Sequence, residues 1–270
     1  MEIQLSVIII NYNGKHFLKD CFESLQIALK NIQHEILVLD NNSQDGSCDF
    51  IKQNYPNVFL IESKINFGFG KGNNEAVKKA KGKYVLLFNN DTILLDDISP
   101  AIKILEERSD VGVIGIKMLN ANKEYVPVFG NFPNVSNMFM MKKLQQMGEE
   151  FATGNFSKPH YEVDWLGGSF LLLSKELFQG VGGFDEDYFM YVEDVDFSKK
   201  IANRNLKRLF VPEMSYIHYV GFNKSKNPLL IKGYKIFIKK HTKGLDKLML
   251  SLALTTNSMV KKLKLALRLD

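Results

Sequence analysis

Short apolar runs alternate with amphipathic stretches along the first third of the chain. Residues 5–10 (LSVIII) form a β-branched run typical of a strand buried on both faces of a parallel sheet. Apolar side chains recur at helical spacing over residues 15–30, which predicts an amphipathic helix. This alternation predicts a doubly wound, mostly parallel, Rossmann-like sheet flanked by helices. Further strands are predicted at 35–40, 58–62 and 83–88, and further helices at 49–55 and 74–80.

Polar side chains follow each of these four strands. Because ligands of such sheets bind outside the carboxyl ends of the strands, we expect these side chains to form one ligand site. The alternative is ordinary turn chemistry, since Asn and Asp favour turns, but it explains one loop more readily than all four. The four groups are Asn11 to Asn13, Asp40 to Asn42, Asn66, and Asn89 to Asp91.

The second half of the chain has a less regular pattern. Residues 110–119 predict another strand, and the Met-rich stretch 137–147 predicts a helix or a lid over the site. Residues 163–178 predict a Gly-rich turn, a strand and a helix. Two strand-like runs over 206–221 and two helices complete the predicted elements.

The composition narrows the class of protein. The chain has 270 residues, enough for one large α/β domain or for one domain with a C-terminal extension. Its two cysteines do not indicate a disulfide framework. The net charge of +5 arises in the tail, where residues 223–270 hold twelve Lys and Arg against two Asp. Such a tail favours anionic lipid or an anionic substrate; it lacks the interleaved aromatics that nucleic-acid binding uses.

The chain shows no targeting or membrane-spanning segment by its pattern. Its start has no basic region and carries Glu2, which disfavours a signal peptide. The apolar run at 248–256 is far shorter than the roughly 20 residues of a transmembrane helix. We therefore expect a cytoplasmic protein, with peripheral contact at the inner face of the cell membrane.

Residues 88–91 (FNND) supply a carboxylate and amides at the end of a predicted buried strand. Such hard oxygen ligands suit Mg²⁺ or Mn²⁺ on a diphosphate, with Asp91 as the charged ligand and Asn89 beside it. The alternative for Asp91 is a helix cap or a turn. His218 could complete a metal shell, although a lone histidine is more often structural.

The Gly-rich loop predicted at 63–74 precedes a helix and could let the backbone approach a ligand closely. It matches neither the P-loop nor the dinucleotide fingerprint. A flexible turn is an equally good interpretation.

Residues 182–200 (GGFDEDYFMYVEDVDFSKK) combine six carboxylates with five aromatic rings. Glu193 and Asp194 fall in the first turn of a predicted helix, where the helix dipole alone favours acids. The sharper interpretation is a general base that takes a proton from an attacking hydroxyl. The neighbouring aromatics would then line an acceptor pocket, since sugar faces pack on aromatic rings.

Taken in order, several motifs resemble one family. They are VIIINYNG, LVLDNNSQDGS, NFGFGKGNN, LLFNND, the long stretch 165–200 that begins WLGGSF, and HYVG. Together they are similar to a bacterial family 2 glycosyltransferase of the GT-A fold, in the rhamnosyltransferase-like branch that builds O-antigen and capsule polysaccharide. The resemblance covers residues 5 to about 225.

The resemblance implies an inverting transfer from a nucleotide-diphosphate sugar, with dTDP-rhamnose as the first choice, to a saccharide or a lipid-linked saccharide. Asp91 matches the last acid of the family's DxD metal motif, whose first acid is replaced here by Asn89. Asp194 would be the general base, Glu193 a supporting acid, and His218 a group near the diphosphate and metal. The nucleotide-binding residues would be Asn11, Asn13, Asp40 (at the nucleobase), Asn42, Asn66, Gly70 and Asn90. The cleft and acceptor residues would be Trp165, Gly167, Gly168, Tyr188 and Tyr191.

The resemblance also divides the chain. Residues 1–225 would form the glycosyltransferase domain, with a nucleotide-sugar half at 1–118 and an acceptor half at 119–225. Residues 226–270 would form a basic amphipathic helical extension. Such helices lie on anionic membranes, which suits a lipid-linked acceptor, or pack on the domain or on a second subunit of a homodimer. We favour packing on the domain for the first tail helix and membrane contact for the second.

Two rival functions remain at this point. A nucleotidyltransferase is disfavoured, because the loop NYNGKHF after the first strand lacks that class's Gly-rich, Arg-containing sequence. A non-catalytic module that binds a glycan or supports a catalytic partner would explain Asn89. The joint presence of Asp40, Asp91 and Asp194 argues against such a module.

Overall fold

The computed structural model describes residues 3–145, 147–219 and 227–266. Val220 and Gly221 of the HYVG motif, and the boundary predicted between 225 and 226, lie outside the described residues. The strands in chain order are β1 (Leu5–Asn11), β2 (His34–Asp40), β3 (Phe59–Glu62), β4 (Tyr84–Phe88), β5 (Thr92–Leu94), β6 (Val111–Leu119), β7 (Tyr125–Val126), β8 (Phe129–Gly130), β9 (Tyr161–Glu162), β10 (Trp165–Leu166), β11 (Phe170–Ser174) and β12 (Lys207–His218).

The helices flank the sheet and end the described chain. They are α1 (Lys15–Ala28), α2 (Ser47–Asn54), α3 (Phe69–Val77), α4 (Ser99–Glu107), α5 (Val135–Phe139), α6 (Glu149–Thr153), α7 (Lys175–Gly180), α8 (Glu193–Ala202), α9 (Asn227–His241) and α10 (Gly244–Ala266), with a 3₁₀ helix at Met141–Gln145. None of the helices within the described ranges is both long and apolar enough to cross a membrane.

The central sheet has the strand order β3-β2-β1-β4-β11-β6-β12-β5. The first four strands in this order are parallel, as the alternating pattern predicts. β11 runs antiparallel to both of its neighbours, and β12 returns parallel to β6. The start of β11 therefore lies at the same edge of the sheet as the carboxyl end of β4, and this placement builds the site.

Two apolar layers cover the two faces of this sheet. Val7 and Ile9 of β1 pack with α1 and α4 on one face, whereas Ile8 packs with α3, α7 and α8 on the other. This alternation explains why residues 7–10 of β1 are all apolar: successive side chains enter the cores on opposite faces of the sheet.

The Gly-rich segment is shorter than predicted, because α3 begins at Phe69 rather than near Asn74. Gly70 and Gly72 therefore lie inside the helix. A Cβ on Gly70 would sit 3.0 Å from Phe184 Cβ, and one on Gly72 would sit 3.3 Å from Ile10. The glycines let α3 pack closely, so their low helix propensity misled the sequence interpretation.

The two runs predicted over 206–221 form one long strand, β12, up to His218. Its register against β6 shifts between Val211 and Ser215. Pro212 lies in this irregular stretch, and since proline cannot donate a ladder hydrogen bond, the bulge accommodates it. The Met-rich stretch contains the end of α5 and the 3₁₀ helix. α5 contacts α10 and the 3₁₀ helix, and the 3₁₀ helix also contacts β8.

The first tail helix packs on the domain, as we favoured from the sequence. Tyr234, Phe237 and Ile238 of α9 share a buried cluster with Val192 and Val195 at the start of α8. α10 joins the same cluster through Leu250, Ala253 and Leu254.

Candidate active site

Asn11 and Asp40 lie side by side at the carboxyl ends of β1 and β2. Asn11 Nδ2 donates to Asp40 Oδ2 at 2.7 Å, and the Ser43 backbone N donates to Asp40 Oδ1 at 2.7 Å. Both side chains are buried. The carboxylate therefore ties two strands and a loop together with both of its oxygens.

The neighbouring polar residues extend this network toward β4. Asn90 Nδ2 donates to Asn11 Oδ1 at 2.7 Å, and Asn13 Oδ1 accepts from the Gln44 backbone N at 2.8 Å. Asn13 and Asn42 adopt the left-handed conformation, with φ of 51° and 67°, which asparagine tolerates well. Three of the four predicted polar groups thus meet at one edge of the sheet.

Asn41 is a site residue that our residue assignments missed. It is buried, its Nδ2 donates to Gly68 O at 3.0 Å, and its Oδ1 accepts from Phe67 N at 3.2 Å. Asn66 Oδ1 accepts from Gly68 N at 2.8 Å in the same loop. Asn41 therefore connects the loop after β3 to the end of β2. The available signal was its position directly after Asp40, inside the polar group that follows the second strand.

Asp91 and His218 meet where β5 pairs with the end of β12. The distance from Asp91 Oδ1 to His218 Nε2 is 3.1 Å, and Asn89 Nδ2 lies 3.4 Å from the same ring nitrogen. The pairing of His218 with Thr92 fixes this arrangement. The structure thus brings together the three residues that the sequence assigned to a metal.

The donor set of this cluster fits a divalent cation in part. A carboxylate, an imidazole and an amide oxygen are acceptable ligands for Mn²⁺, and the oxygens also for Mg²⁺. No group of three or more His, Cys, Asp or Glu side chains comes together as a metal cage among the described residues. An ion here would need further ligands, such as the oxygens of a diphosphate.

A second set of contacts, not anticipated from the sequence, holds the Asn89 backbone. Thr92 Oγ1 donates to Asn89 O at 2.5 Å, and Cys21 Sγ lies 3.7 Å from the same oxygen. Burial, reinforced by the negative charge of Asp91, raises the pKa of the Cys21 thiol far above its usual range. Cys21 is therefore a neutral, inert packing group beneath the site.

Asp194 is held at the same edge by the turn before β11. Gly168 N donates to Asp194 Oδ2 at 3.1 Å, and Val195 N donates to Asp194 Oδ1 at 2.8 Å. A Cβ on Gly168 would lie 3.0 Å from the Phe69 ring, so only glycine fits without a shift. The next residue, Ser169, accepts from Asn89 N at 3.3 Å. Two consecutive residues thus join Asp194 to the Asn89–Asp91 cluster.

Glu193 and Asp194 both favour the protonated form more than ordinary carboxyls do. Burial raises the pKa of Asp194, although hydrogen bonds from Val195 N and Gly168 N oppose the shift. Burial, together with the charges of Asp194 and Asp196, raises the pKa of Glu193 well above its usual range. Glu193 Oε2 is buried and accepts no hydrogen bond from the described residues. A carboxylate with a raised pKa suits general-base work near neutral pH.

Two aromatic residues assigned to the acceptor lie deeper than predicted. Tyr188 is only 2% exposed, and its hydroxyl donates to Asp196 Oδ1 at 3.2 Å. Trp165 is also buried, with Nε1 donating to Asn131 O at 3.0 Å. Their rings pack with α5, α9 and α10 in the core instead of forming an open wall. The physical reason is that both polar tips find partners inside, which makes burial favourable.

Other side chains of the same region reach the surface. Phe189 is 47% exposed and Met190 is 38% exposed, while Tyr191 is half-buried. Gly167 N donates to Val128 O at 2.7 Å, which fixes the turn that continues to Gly168.

The family model for glycosyl transferase family 2 matches residues 6–161, more than half of the chain. The chain belongs to glycosyl transferase family 2. This glycosyltransferase is 24% identical over 242 residues to an N-acetylglucosaminyl-diphospho-decaprenol L-rhamnosyltransferase of Mycobacterium tuberculosis, covering 83% of this chain and 78% of the relative. It is 27% identical over 222 residues to the rhamnosyltransferase WbbL of Escherichia coli K12, covering 79% of this chain and 82% of the relative.

The glycosyltransferase also resembles solved structures in fold. GalNAc-T7, crystallised with UDP, GalNAc and Mn²⁺, superposes with a TM-score of 0.67 at 17% identity. The match covers 88% of this chain and 48% of that one, so the family 2 chain spans about half the length of GalNAc-T7. The predicted α/β fold, the family and the rhamnosyltransferase-like relatives are confirmed, and the enzyme class with them. The individual roles assigned to the site residues stay predictions.

Proposed function

We propose that this glycosyltransferase moves a sugar, with inversion, from a nucleotide-diphosphate donor to a saccharide or lipid-linked saccharide in the synthesis of cell-surface polysaccharide. The first choice of donor is dTDP-rhamnose, since the two relatives described above are named as rhamnosyltransferases. The first of them is named for an acceptor that carries a diphospho-decaprenol. That name supports a lipid-linked acceptor here.

The observation that carries the proposal is the Gly168–Ser169 turn. Gly168 N binds the Asp194 carboxylate, and Ser169 O binds the backbone of Asn89, two residues before Asp91. A candidate base and a candidate diphosphate site, far apart in sequence, are therefore connected through two adjacent residues. Glycosyl transfer needs both at once, because a hydroxyl must be activated where a diphosphate departs.

Asp194 is proposed to act as the general base. As the acceptor oxygen bonds to the anomeric carbon, its proton passes to Asp194, and the electron pair of the breaking C–O bond leaves with the diphosphate. Attack from the face opposite the leaving group inverts the anomeric centre. The hydrogen bonds from Gly168 N and Val195 N fix the carboxylate, so no reorientation is needed during the reaction.

Asp91, His218 and Asn89 are proposed to hold Mn²⁺ or Mg²⁺ together with the donor diphosphate. A bound divalent cation would neutralise the negative charge of the departing diphosphate. Asn11, Asn13, Asp40, Asn42, Asn66, Gly70 and Asn90 are proposed to shape the nucleotide site. Asp40 could accept a hydrogen bond from the nucleobase while it keeps its two present ones, because each carboxylate oxygen now accepts a single hydrogen bond and has a second lone pair.

The acceptor is proposed to lie over Gly167, Gly168 and Tyr191. The exposed side chains of Phe189 and Met190 offer an apolar surface for the sugar, four to five residues before Asp194 in the sequence. Tyr188 and Trp165 would act from below, by supporting this surface.

The outer face of α10 is proposed to contact the inner face of an anionic membrane. One face of this helix is buried, through Leu250, Ala253 and Leu254, whereas the opposite face exposes large apolar side chains at helical spacing. Asp246 is the one acid in the helix sequence, which also carries several lysines. Exposed apolar side chains with nearby lysines are what an anionic lipid surface binds. The exposed set is Leu245, Leu248, Met249, Leu252, Met259, Val260 and Leu263.

Sedimentation with phosphatidylglycerol vesicles tests this contact. The double variant Leu248→Gln/Leu252→Gln should lose binding, and the control Ser251→Gln on the adjoining exposed polar face should keep it. Equal binding of both variants would refute the membrane contact. A dimer that dissociates in the double variant, without vesicle binding by the wild type, would assign the same face to a second subunit.

Thermal unfolding with dTDP, UDP and GDP, each with Mn²⁺ or with a chelator, tests the donor site. A ligand at 100 times its Kd should add about 2.7 kcal/mol of stability. Stabilisation by one nucleotide that requires the ion supports both the donor and the metal assignments. Absence of any shift in a cooperatively unfolding protein would count against the nucleotide site.

A further inference from the structure

The backbone directly before Glu193 is strained. Tyr191 and Val192 adopt the left-handed conformation in succession, with φ of 70° and 74°. A β-branched residue is an outlier in this region, because its side chain crowds the following peptide. Such a conformation persists only where the surrounding structure enforces it. The residue that enforces it must therefore lie against Tyr191 and Val192.

Helix α9 is the element that lies against this strained pair. A Cβ on Gly233 would be 2.6 Å from Tyr191 O and 2.7 Å from Val192 Cγ2, so α9 approaches the strained backbone as closely as a glycine allows. The next residue, Tyr234, is buried in the cluster that contains Val192 and Val195. Burial and the charge of Asp194 raise the pKa of the Tyr234 hydroxyl, which is consistent with its packing near the candidate base.

Two side chains at the end of α9 hold the acidic segment on either side of the strained pair. Lys240 Nζ lies 2.5 Å from Asp185 Oδ2 and 2.7 Å from Asp187 Oδ2, before the pair. His241 Nε2 lies 2.6 Å from Asp196 Oδ1, after the pair. Asp196 is fully buried and also lies 3.6 Å from Lys200 Nζ in α8. The contacts of α9 thus lie before, on and after the strained residues.

We infer that α9 is a positioning strap for the acceptor side of the active site: Gly233, Lys240 and His241 keep Tyr191 and Val192 left-handed and so fix Asp194 against Gly168. This inference rests on the proposed role of Asp194 for its catalytic consequence. Its structural part stands on the contacts of α9 alone. Lys240 and His241 are positioning residues, since they touch the acidic segment and not the reacting groups.

The first test is amide hydrogen exchange of the full chain, which needs no substrate. The hydrogen bonds of interest are donated by Gly168 N and Val195 N to Asp194, and by Asp196 N to Val192 O. His241→Leu should increase exchange at these amides about tenfold, as expected for local opening of a few residues. His241→Gln, whose amide nitrogen can replace Nε2, should restore protection.

Lys240→Met supplies a second variant, because this half-exposed side chain can be lost without opening a cavity. It should raise exchange at the same amides by a smaller factor. Lys239→Ala, an exposed residue on the same helix, is the matched control and should change nothing. Wild-type exchange in both His241→Leu and Lys240→Met would overturn the strap.

The second test separates the strap from the proposed function. With the nucleotide sugar selected by the unfolding screen, His241→Leu should lower kcat about tenfold and leave the donor KM within twofold, because a small misplacement of a base affects the chemical step. His241→Gln should recover most of the rate. Asp194→Asn is measured in parallel.

The outcomes distinguish the two ideas. If Asp194→Asn retains full activity, the proposed base is wrong, and the exchange data alone decide whether α9 orders this segment. If Asp194→Asn is inactive and His241→Leu turns over like the wild type, only the strap is refuted. A tenfold loss of kcat/KM in His241→Leu that comes from a higher donor KM, with kcat unchanged, would also refute the strap, since that pattern indicates a role in donor binding.

Discussion

The proposed donor side and the proposed base side of the candidate active site are built in different ways. On the donor side, Asn11, Asp40 and Asn41 form hydrogen bonds with one another and with their loops, and the left-handed residues other than glycine are asparagines. On the base side, Glu193 Oε2 is buried and accepts no hydrogen bond from the described part of the chain, and the left-handed residues other than glycine are Tyr191 and Val192. The donor side is therefore stable by its own contacts, whereas the base side depends on a helix from the C-terminal end of the chain.

This contrast shows where stability and reactivity are placed. A hydrogen-bonded network such as that of Asn11, Asp40 and Asn41 can position a ligand through contacts that its own residues supply. A buried acid cluster raises the pKa of its carboxyls and needs outside support, because charges and strain oppose folding there. We expect mutations on the two sides to differ in kind, and the following experiments test that expectation.

The largest effect is expected for Asp194→Asn. Loss of the proposed base should lower kcat by about 10²-fold or more, because general-base catalysis contributes that much. The donor KM should stay near the wild-type value, since the substitution preserves shape. Initial rates over a range of donor concentrations measure both constants. Asp20→Asn, an exposed acid on α1, is the control. If Asp194→Asn turned over like the wild type, Asp194 would not be the base, and the proposed difference between the donor side and the base side would fail.

The next effect is expected for Asp40→Asn, and it should appear in stability. The new amide would face the Asn11 amide or the Ser43 N–H without an acceptor, which costs about 1–3 kcal/mol. Urea unfolding at equilibrium measures the change, with Asp20→Asn again as the control. Nucleotide binding should weaken in the same variant. An unchanged urea midpoint would mean that the hydrogen bonds to Asp40 contribute nothing measurable to stability.

A smaller effect separates strain from packing. Val192→Gly and Val195→Gly remove the same side chain from the same buried cluster. The first also relieves a left-handed valine, and the second also places a glycine inside α8, so the first should cost at least about 1–2 kcal/mol less than the second. Chemical denaturation of both variants gives the difference directly. Equal losses would show that the left-handed conformation at Val192 carries little strain.

The smallest effect is expected for Glu193→Gln, and its sign depends on pH. The folded state raises the pKa of Glu193, so it binds the proton more tightly than the unfolded state does. The contribution of Glu193 to the free energy of unfolding should therefore fall as the pH rises above the ordinary glutamate pKa of about 4.3. Glu193→Gln should match the wild type at low pH and exceed it at higher pH. Parallel stability curves at all pH values would contradict the raised pKa.

Much of the donor side could be predicted from the sequence. β4 is apolar throughout and β1 is apolar over residues 7–10 because both sheet faces are covered there, and polar residues at the strand ends mark the predicted ligand edge. Asn11, Asp40 and Asn90 were found in this way. The start of α3 was not, because Gly70 and Gly72 have low helix propensity and only their close packing explains them.

Less of the base side could be predicted. Tyr188 and Trp165 lie in the core, and acids next to aromatics in sequence do not tell which rings are buried. The contacts of Lys240 and His241 join residues 45 or more positions apart, and no local pattern encodes them. The left-handed backbone at Val192 is likewise a product of tertiary packing.

The Gly168–Ser169 turn has a consequence for insertions and deletions. Consecutive Cα atoms are about 3.8 Å apart, so the covalent link between Gly168 and Ser169 fixes the spacing between the two residues that they bind, Asp194 and Asn89. Loops elsewhere could change length while leaving that spacing intact. One residue inserted between Gly168 and Ser169 would separate the two halves of the site by a fixed step, even in a chain that folds normally.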